Sequence, residues 1–121
     1  MKRGNKMAET IFSKIIRKEI PASIEYETDS VLAFRDISPK APTHILIIPK
    51  IEIPTVAGIN GKEHSQLLGD LFDAANTIAK NENLDEKGYR IVINCGPDAG
   101  QEVYHLHLHL LGGIKMGWNP A

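Results

Sequence analysis

This chain of 121 residues contains one cysteine, Cys95, so it cannot form an intrachain disulfide. A single thiol favours a reducing compartment, and we expect a cytoplasmic protein in which Cys95 is buried and structural. Neither sign of charge is in large excess: 14 basic and 15 acidic residues give a formal net charge of −1, which argues against nucleic acid as a partner. No apolar run approaches the roughly 20 residues of a membrane-spanning helix, so we expect no membrane partner either.

Hydrophobic residues make up 42% of the chain and charged residues 24%, which is the composition of an ordinary globular domain. The first residues are polar and basic, and we expect residues 1–9 to form a disordered N-terminal extension. Residues 10–121 are then long enough to form a single domain with its own core.

Two segments have the periodicity of amphipathic helices. Residues 10–18 predict a short helix, which ends before Pro21 because proline cannot continue a helix. Residues 62–83 predict a long helix, and Asn60 with Glu63 three residues later resembles a capping box at its start.

Five segments are interpreted as strands because they are rich in apolar and β-branched residues and are bounded by turn residues. They are residues 24–26, 31–35, 43–48, 89–94 and 103–111. The elements do not alternate regularly between strand and helix, which favours an α+β fold with an antiparallel sheet of about five strands. We expect the short and the long helix to pack on one face of that sheet.

Residues 105–109 read His-Leu-His-Leu-His, so three of the five histidines of the chain occupy alternate positions. Alternate side chains of a strand share a face, which places His105, His107 and His109 together and the intervening leucines on the other side. Neighbouring imidazoles would then lie roughly 6.5–7 Å apart, from the rise per residue of a strand. We expect one face to carry chemistry and the other to enter the core.

Two kinds of chemistry use such a face. Neutral imidazole is a common metal ligand, and a remote histidine such as His44 can complete a metal site with the three. Imidazole is also a nucleophile toward phosphorus, with a covalent intermediate that divides one difficult step into two. A third interpretation is a row of surface histidines on an edge strand, without a function.

The loop that enters the histidine segment favours a phosphate over a metal. It contains Gly100, Gln101, Glu102 and Val103. Glycine permits a positive φ and a close approach of the backbone to a ligand, and successive amides in such a turn can point at an anion. A metal site has no need of this arrangement. His64, at the start of the long helix, is expected to be a solvated residue.

These residues carry a resemblance to a known family. The run from His105 to Leu111, followed by Gly112 and Gly113, resembles the signature of the histidine triad superfamily. Similar segments extend over residues 10–118, and the chain looks closest to the bacterial members of the Hint branch, the purine nucleoside phosphoramidases. The resemblance implies a HIT-like α+β fold assembled as a homodimer.

The resemblance also implies a role for individual residues. His107 matches the nucleophile that attacks the α-phosphorus, His105 and His109 match the residues that flank the phosphate, and His44 matches a fourth site histidine. The other matching positions bind the nucleotide. They are Ile11, Phe12, Ile15, Phe34 and Ile37 around the purine, Asp36 at the ribose, Asn94 near ribose and phosphate, Gly100, Gln101, Glu102 and Val103 at the phosphate, and Trp118 at the site of the partner subunit.

Structural interpretations of several of these residues remain open. Asp36 can cap a turn, the apolar stripe of the first helix can be plain core, and Trp118 can anchor the tail to its own subunit. Two positions depart from the family pattern. Thr10 and Ser13 stand where some relatives have a zinc-binding cysteine pair, so we expect no such zinc. Glu102 replaces a serine, and we expect its side chain to point away from the phosphate while its amide binds.

The activity implied is hydrolysis of the P–N bond of purine nucleoside 5′-monophosphoramidates, of the AMP or GMP type, through a nucleotidyl-histidine intermediate and without a metal or other cofactor. Two alternatives remain open at this point. One is a metal protein that uses His44, His105, His107 and His109. The other is a nucleotide-binding or scaffolding module with incidental hydrolysis.

Overall fold

A five-stranded antiparallel sheet is the framework of residues 9–118, the part of the chain that the structure, a computed structural model, describes. The strands are β1 (Ile24–Glu27), β2 (Val31–Arg35), β3 (Thr43–Pro49), β4 (Tyr89–Val92) and β5 (Leu108–Gly112). Their spatial order is β1-β2-β3-β5-β4, and every neighbouring pair is antiparallel. The predicted α+β class and the sheet of five strands are confirmed. Of the predicted N-terminal extension, only Glu9 lies inside the described residues, where it pairs with Arg17.

Helices α1 (Ile11–Ile16) and α2 (Ser65–Asn81) lie on opposite faces of the sheet, so the prediction that both pack on one face is wrong. The cause is visible in β2 and β3, in which nearly every residue is buried. Alternate side chains of these strands point to opposite faces, and each apolar face needs its own cover. The result is two core clusters, one on each face of the sheet. The cluster under α2 contains Val31, Ala33, Ile45 and Ile47. The cluster under α1 contains Leu32, Phe34, Leu46 and Ile48.

Both helices are shorter than predicted, because hydrogen bonds in the preceding turn determine where each helix begins. Thr10 caps α1 through a reciprocal pair of hydrogen bonds with Ser13, and this capping box defines the first turn. Before α2, the Asn60 side chain accepts a hydrogen bond from the Glu63 amide at 3.1 Å, as predicted. In a capping box the Glu63 side chain would accept from the Asn60 amide. Here Nδ1 of His64 accepts that hydrogen bond instead, at 2.9 Å. This arrangement closes a turn, and regular helix begins only at Ser65.

The histidine segment is a strand only from Leu108, five residues later than predicted. Upstream of that point the chain bonds to the segment that follows β3: the amide of Leu106 donates to the carbonyl of Ile53 at 2.7 Å. The leucines nevertheless enter the core as predicted, with Leu106, Leu108 and Leu110 each at most 2% exposed on the α2 side of the sheet. The separation of one face for chemistry and one for the core therefore holds.

Two further observations concern the rest of the described chain. Cys95 is exposed, so the expectation of a buried structural thiol is wrong. It follows β4 immediately before the turn at Gly96, outside the packed sheet. Within residues 9–118, neither helix has the length and apolar character needed to cross a membrane.

Truncation of Leu110 should show how strongly the α2 side of the core stabilises the fold. Leu110 is fully buried, and Leu110→Ala should lower the free energy of unfolding by about 2–5 kcal/mol through lost transfer energy and an unfilled cavity. Ile114→Ala is the matched control, because Ile114 is 62% exposed, and it should cost less than about 1 kcal/mol. Urea unfolding measures both, and equal losses would contradict this description of the core.

Candidate active site

A cavity of about 570 Å³ opens on the α1 face of the sheet. Three of the four predicted catalytic histidines, His44, His107 and His109, line it. Most of the predicted nucleotide-binding residues line it as well: Ile11, Phe12, Ile15, Phe34, Asp36, Ile37, Asn94, Gly100, Glu102 and Val103. Residues from α1, β2, β3, β5 and two loops thus converge on one site.

Three predicted site residues lie outside the cavity wall. His105 is fully buried behind it, with its ring centroid 6.0 Å from that of Phe12. Gln101 is also buried and supports the loop from within. Trp118 is 94% exposed, which removes the alternative that it anchors the tail to its own subunit.

The ring of His107 is held in one tautomer by the backbone. Its Nδ1 lies 2.7 Å from the carbonyl oxygen of His105, and because a carbonyl can only accept, Nδ1 must carry the proton. Nε2 is then left with a free lone pair. The edge of Phe12 packs against the same ring at 5.1 Å between centroids, which fixes its plane. The result is a neutral, oriented imidazole with an available nucleophilic nitrogen.

A second set of hydrogen bonds fixes His44 and His109. The amide of Lys40 donates to Nδ1 of His44 at 3.0 Å, so the proton of neutral His44 must be on Nε2. Nε2 lies 2.9 Å from Nδ1 of His109 and donates to it. The remaining proton of His109 is therefore on its Nε2. The rings of His107 and His109 are 4.9 Å apart between centroids, closer than the predicted spacing because residue 107 precedes the strand.

His105 acts on the site from behind rather than lining it. Its Nε2 donates to the carbonyl of Pro49 at 2.8 Å, which ties the histidine segment to the end of β3. Its Nδ1 is the one buried side-chain polar atom in residues 9–118 that has no hydrogen-bond partner. Its carbonyl accepts from His107, so its backbone contributes the orienting contact.

Burial keeps these histidines neutral. Desolvation is the largest cause of the lowered pKa of His44, His105 and His107. For His109, burial together with the neighbouring His107 and His44 lowers the pKa to about 4. The negative charge of Asp36 raises the pKa of His44, His107 and His109, but the effect of burial is larger. An uncharged imidazole at neutral pH is the form that can attack phosphorus.

The carboxylate of Asp36 caps a turn and also borders the cavity. Its Oδ1 accepts from the amide of Ser38 at 2.8 Å, so it does cap the turn that begins the loop between β2 and β3. Its Oδ2 lies 3.5 Å from Nε2 of His44 and borders the cavity. The cap therefore fixes the orientation of the carboxylate at the cavity wall.

The loop before the histidines is shaped by Gly100 and Gln101. Gly100 has a φ of 84° and a ψ of 24°, in the left-handed region that side chains rarely adopt, and it ends a short 3₁₀ turn. The Gln101 side chain accepts from the amide of Gly96 and donates to the carbonyls of Pro54 and Val103. The loop is therefore braced from inside, while Glu102 on its outer side is exposed.

Several wall residues were not predicted from the sequence. They are Ile20, Pro21, Ala22, Arg35, Ser38, Lys40, Leu46, Val92, Ala99 and Leu111. Leu46 and Leu111 had a detectable signal, because each alternates with a predicted site histidine along its strand. The sequence position of Lys40 between Asp36 and His44 could have indicated that it lines the site. A lysine in a loop with two prolines, however, is usually interpreted as a solvated residue.

The metal alternative has limited support in this geometry. Asp36, His44 and His109 present donor atoms within 4.8 Å of one another. The two imidazole nitrogens nearest each other are already joined by a hydrogen bond. Nε2 of His105 and Nδ1 of His107 are engaged by backbone carbonyls. Within residues 9–118, the cluster of close donor atoms contains His44 and His109 but neither His105 nor His107, so the four histidines do not form one joint metal site. Thr10 and Ser13 cap α1 with each other, and the absence of zinc there stays a prediction.

Comparison with known proteins identifies similar chains. Residues 17–116 match the family of HIT domains. The chain is 59% identical over 109 residues to the purine nucleoside phosphoramidase of Escherichia coli K12, covering 90% of this chain and 91% of the relative. It is 54% identical over 113 residues to the 14 kDa zinc-binding protein of Zea mays, covering 93% and 88%. The crystal structure of a HIT family hydrolase from Legionella pneumophila superposes with a TM-score of 0.90 at 50% identity, covering 93% and 100%.

Acidification should destabilise the fold through His109. An unfolded histidine takes up a proton near pH 6.5, whereas folded His109 does so only near pH 4. The folded state binds fewer protons in this window, so stability is complete above it and falls as the pH drops through it. At about pH 5, His109 alone should make the free energy of unfolding change by about 1 kcal/mol per pH unit.

Urea unfolding between about pH 7 and pH 5 measures this contribution. His109→Gln should show a shallower loss of stability than the wild type. Ile114→Ala serves as the control, because Ile114 is exposed, carries no titratable group and lies outside the cavity wall, and its slope should match the wild type. Identical slopes for all three proteins would refute the assignment of a buried neutral His109.

Proposed function

Since the chain belongs to the histidine triad (HIT) family, we propose that it is a purine nucleoside phosphoramidase, the activity for which its relative from Escherichia coli is named. The observation that carries the proposal is the state of His107. Its proton is held on Nδ1 by the carbonyl of His105, and its Nε2 lone pair is free on a ring that lines the cavity. The proposed substrates are purine nucleoside 5′-monophosphoramidates of the AMP or GMP type.

In the first step, Nε2 of His107 attacks the α-phosphorus, a nucleotidyl-histidine bond forms, and the P–N bond to the amine breaks. The lowered pKa of His107 keeps the nucleophile uncharged at neutral pH. In the second step, water attacks the same phosphorus, the bond to His107 breaks, and the nucleoside monophosphate leaves. The ring returns to its starting tautomer because the His105 carbonyl retains Nδ1–H throughout.

The leaving nitrogen must receive a proton, because an amide anion is a very poor leaving group. We assign this donation to His109, whose Nε2 carries the proton while Nδ1 accepts from His44. The pKa of His109 is about 4 in the absence of an anion, and a bound phosphate raises it by favouring the charged ring. Charging His109 adds a proton to Nδ1, so His44 must release its hydrogen bond to that atom when the substrate binds. The charged ring then protonates the leaving nitrogen, and general acid catalysis of this kind typically contributes about 10²–10⁴-fold.

The remaining walls fit a purine nucleotide. Phe12 and Phe34 pack edge to face at 5.4 Å and form an apolar surface for the base, bordered by Ile37, which is 96% exposed. Asp36 lines the cavity, and we assign to its carboxylate the acceptance of hydrogen bonds from the ribose hydroxyls. The amides near Glu102 and Val103 are proposed to hold the phosphoryl oxygens, in the manner of an oxyanion hole. The same apolar slot accepts adenine or guanine, so both remain candidate bases.

We also propose that the protein acts as a cytoplasmic homodimer in which Trp118 reaches the site of the partner subunit. Trp118 is 94% exposed on its own subunit, and an exposed indole is a typical interface residue. Sedimentation at micromolar concentration should give a dimer, and a monomer would contradict this assembly. The exposed thiol of Cys95 agrees with a reducing compartment.

Replacement of His107 tests the covalent mechanism. His107→Ala should lower turnover of an adenosine phosphoramidate to near background, because no other imidazole in the cavity has the same free Nε2 beside a fixed Nδ1–H. AMP should still bind, since the base and ribose walls are intact. His64→Ala is the matched control and should retain wild-type turnover, because His64 is outside the cavity wall. Full turnover by His107→Ala at saturating substrate would overturn the mechanism.

The same assay separates the two alternative functions. Activity should persist in a chelator and should not rise on addition of zinc. Loss in chelator with recovery in zinc would favour a metal centre at Asp36, His44 and His109. Tight AMP binding with negligible wild-type turnover of every phosphoramidate would favour a binding module.

A further inference from the structure

We propose that Lys40 selects nucleotides that carry a second anionic group in addition to the phosphate at the reacting phosphorus. The inference rests on the proposed function for its substrate class. It concerns a residue that no motif of the family singles out in this chain. Lys40 lies in the loop between β2 and β3 and lines the same cavity as the histidines.

The backbone of Lys40 is fixed, although its side chain is exposed. Its amide donates to Nδ1 of His44 at 3.0 Å, which anchors the residue to a side chain that is itself buried. The ammonium group donates to the carbonyl of Ser38 at 3.1 Å. An ammonium has three N–H donors, so two remain to meet a ligand.

Lys40 is the cation of the cavity wall that is available to a ligand. The charged residues of the wall are Arg35, Asp36, Lys40 and Glu102. Arg35 is held between Glu25 and Glu82 at 2.8 Å each. Within the described residues 9–118, by contrast, Lys40 forms no ion pair. Since the two remaining charged residues of the wall, Asp36 and Glu102, are acids, the ammonium group of Lys40 is the charged group of the wall that can attract an anion.

The position of Lys40 separates it from the reacting phosphate. That phosphate is proposed to lie at Nε2 of His107, between the ring and the loop of Gly100–Val103. The amide of Lys40 donates to Nδ1 of His44 at 3.0 Å, and its ammonium group donates to the carbonyl of Ser38 at 3.1 Å. Lys40 therefore lies on the His44 side of the cavity. An anion that meets it must be another group of the substrate.

Two parts of a nucleotide substrate can supply this anion. One is a carboxylate on the leaving amine, and the other is a phosphate on the 2′- or 3′-hydroxyl of the ribose, which the proposed function places near Asp36. Both present oxygen acceptors to an ammonium group. An exposed ion pair of this kind is worth up to about 1 kcal/mol, which corresponds to a preference of about fivefold.

Binding measured in the His107→Ala protein tests the inference without turnover. Three ligands are compared by calorimetry: adenosine 5′-phosphoramidates of propylamine and of β-alanine, and the propylamine compound with a 3′-phosphate. Lys40→Gln should reduce the preference for one or both anionic ligands over the neutral one by about threefold, and Lys40→Glu by about tenfold. In the protein that retains Lys40, the preference for the anionic ligands should also fall at about 1 M salt, because the Debye length there is about 3 Å. Lys62→Gln, an exposed lysine before α2, should change no ratio.

The two anionic ligands identify which part of the substrate meets Lys40. Unchanged ratios for both in Lys40→Gln and Lys40→Glu would overturn the inference. Turnover of the neutral phosphoramidate by the chain with His107 intact tests the proposed function separately, so the failure of one is distinguishable from the failure of the other.

Discussion

The hydrogen bond from Nδ1 of His107 to the carbonyl of His105, 2.7 Å long, is the contact on which the proposed chemistry depends. An imidazole has two nitrogens, and only the unprotonated one is a nucleophile. A backbone carbonyl cannot donate a hydrogen bond, so Nδ1 must be the nitrogen that carries the proton. The carbonyl is in turn held in place because the side chain of His105 bonds to the end of β3. His105, which lies outside the cavity wall, thus orients the proposed nucleophile.

A second backbone contact assigns the opposite tautomer to His44. The Lys40 amide can only donate, so His44 protonates on Nε2 and passes a hydrogen bond to His109. The proposed nucleophile and the proposed acid are therefore set by two main-chain groups of opposite polarity. Such assignments are robust to side-chain motion, because both groups belong to ordered backbone. Burial completes the arrangement by keeping the rings uncharged until an anion arrives.

The sequence predicted which residues line the site better than it predicted the path of the backbone that brings them together. Alternation in residues 105–110 correctly separated Leu106, Leu108 and Leu110 from the histidines, because the pleat of the chain sets which face a side chain occupies. It could not show that the chain departs from the sheet before Leu108, since that depends on bonds from His105 and Leu106 to the segment after β3. The placement of α1 opposite α2 was available in principle, because β2 and β3 are apolar at successive positions. Lys40 was overlooked because its role follows from the loop geometry around His44, which a sequence does not show.

The tautomer of His107 is the most direct test of this account. Nitrogen NMR of protein labelled at its histidines, near pH 7, distinguishes a protonated from an unprotonated ring nitrogen. The account predicts His107 neutral with its proton on Nδ1, and His44 neutral with its proton on Nε2. A His107 that carries its proton on Nε2, or that is an imidazolium at that pH, would contradict the central claim.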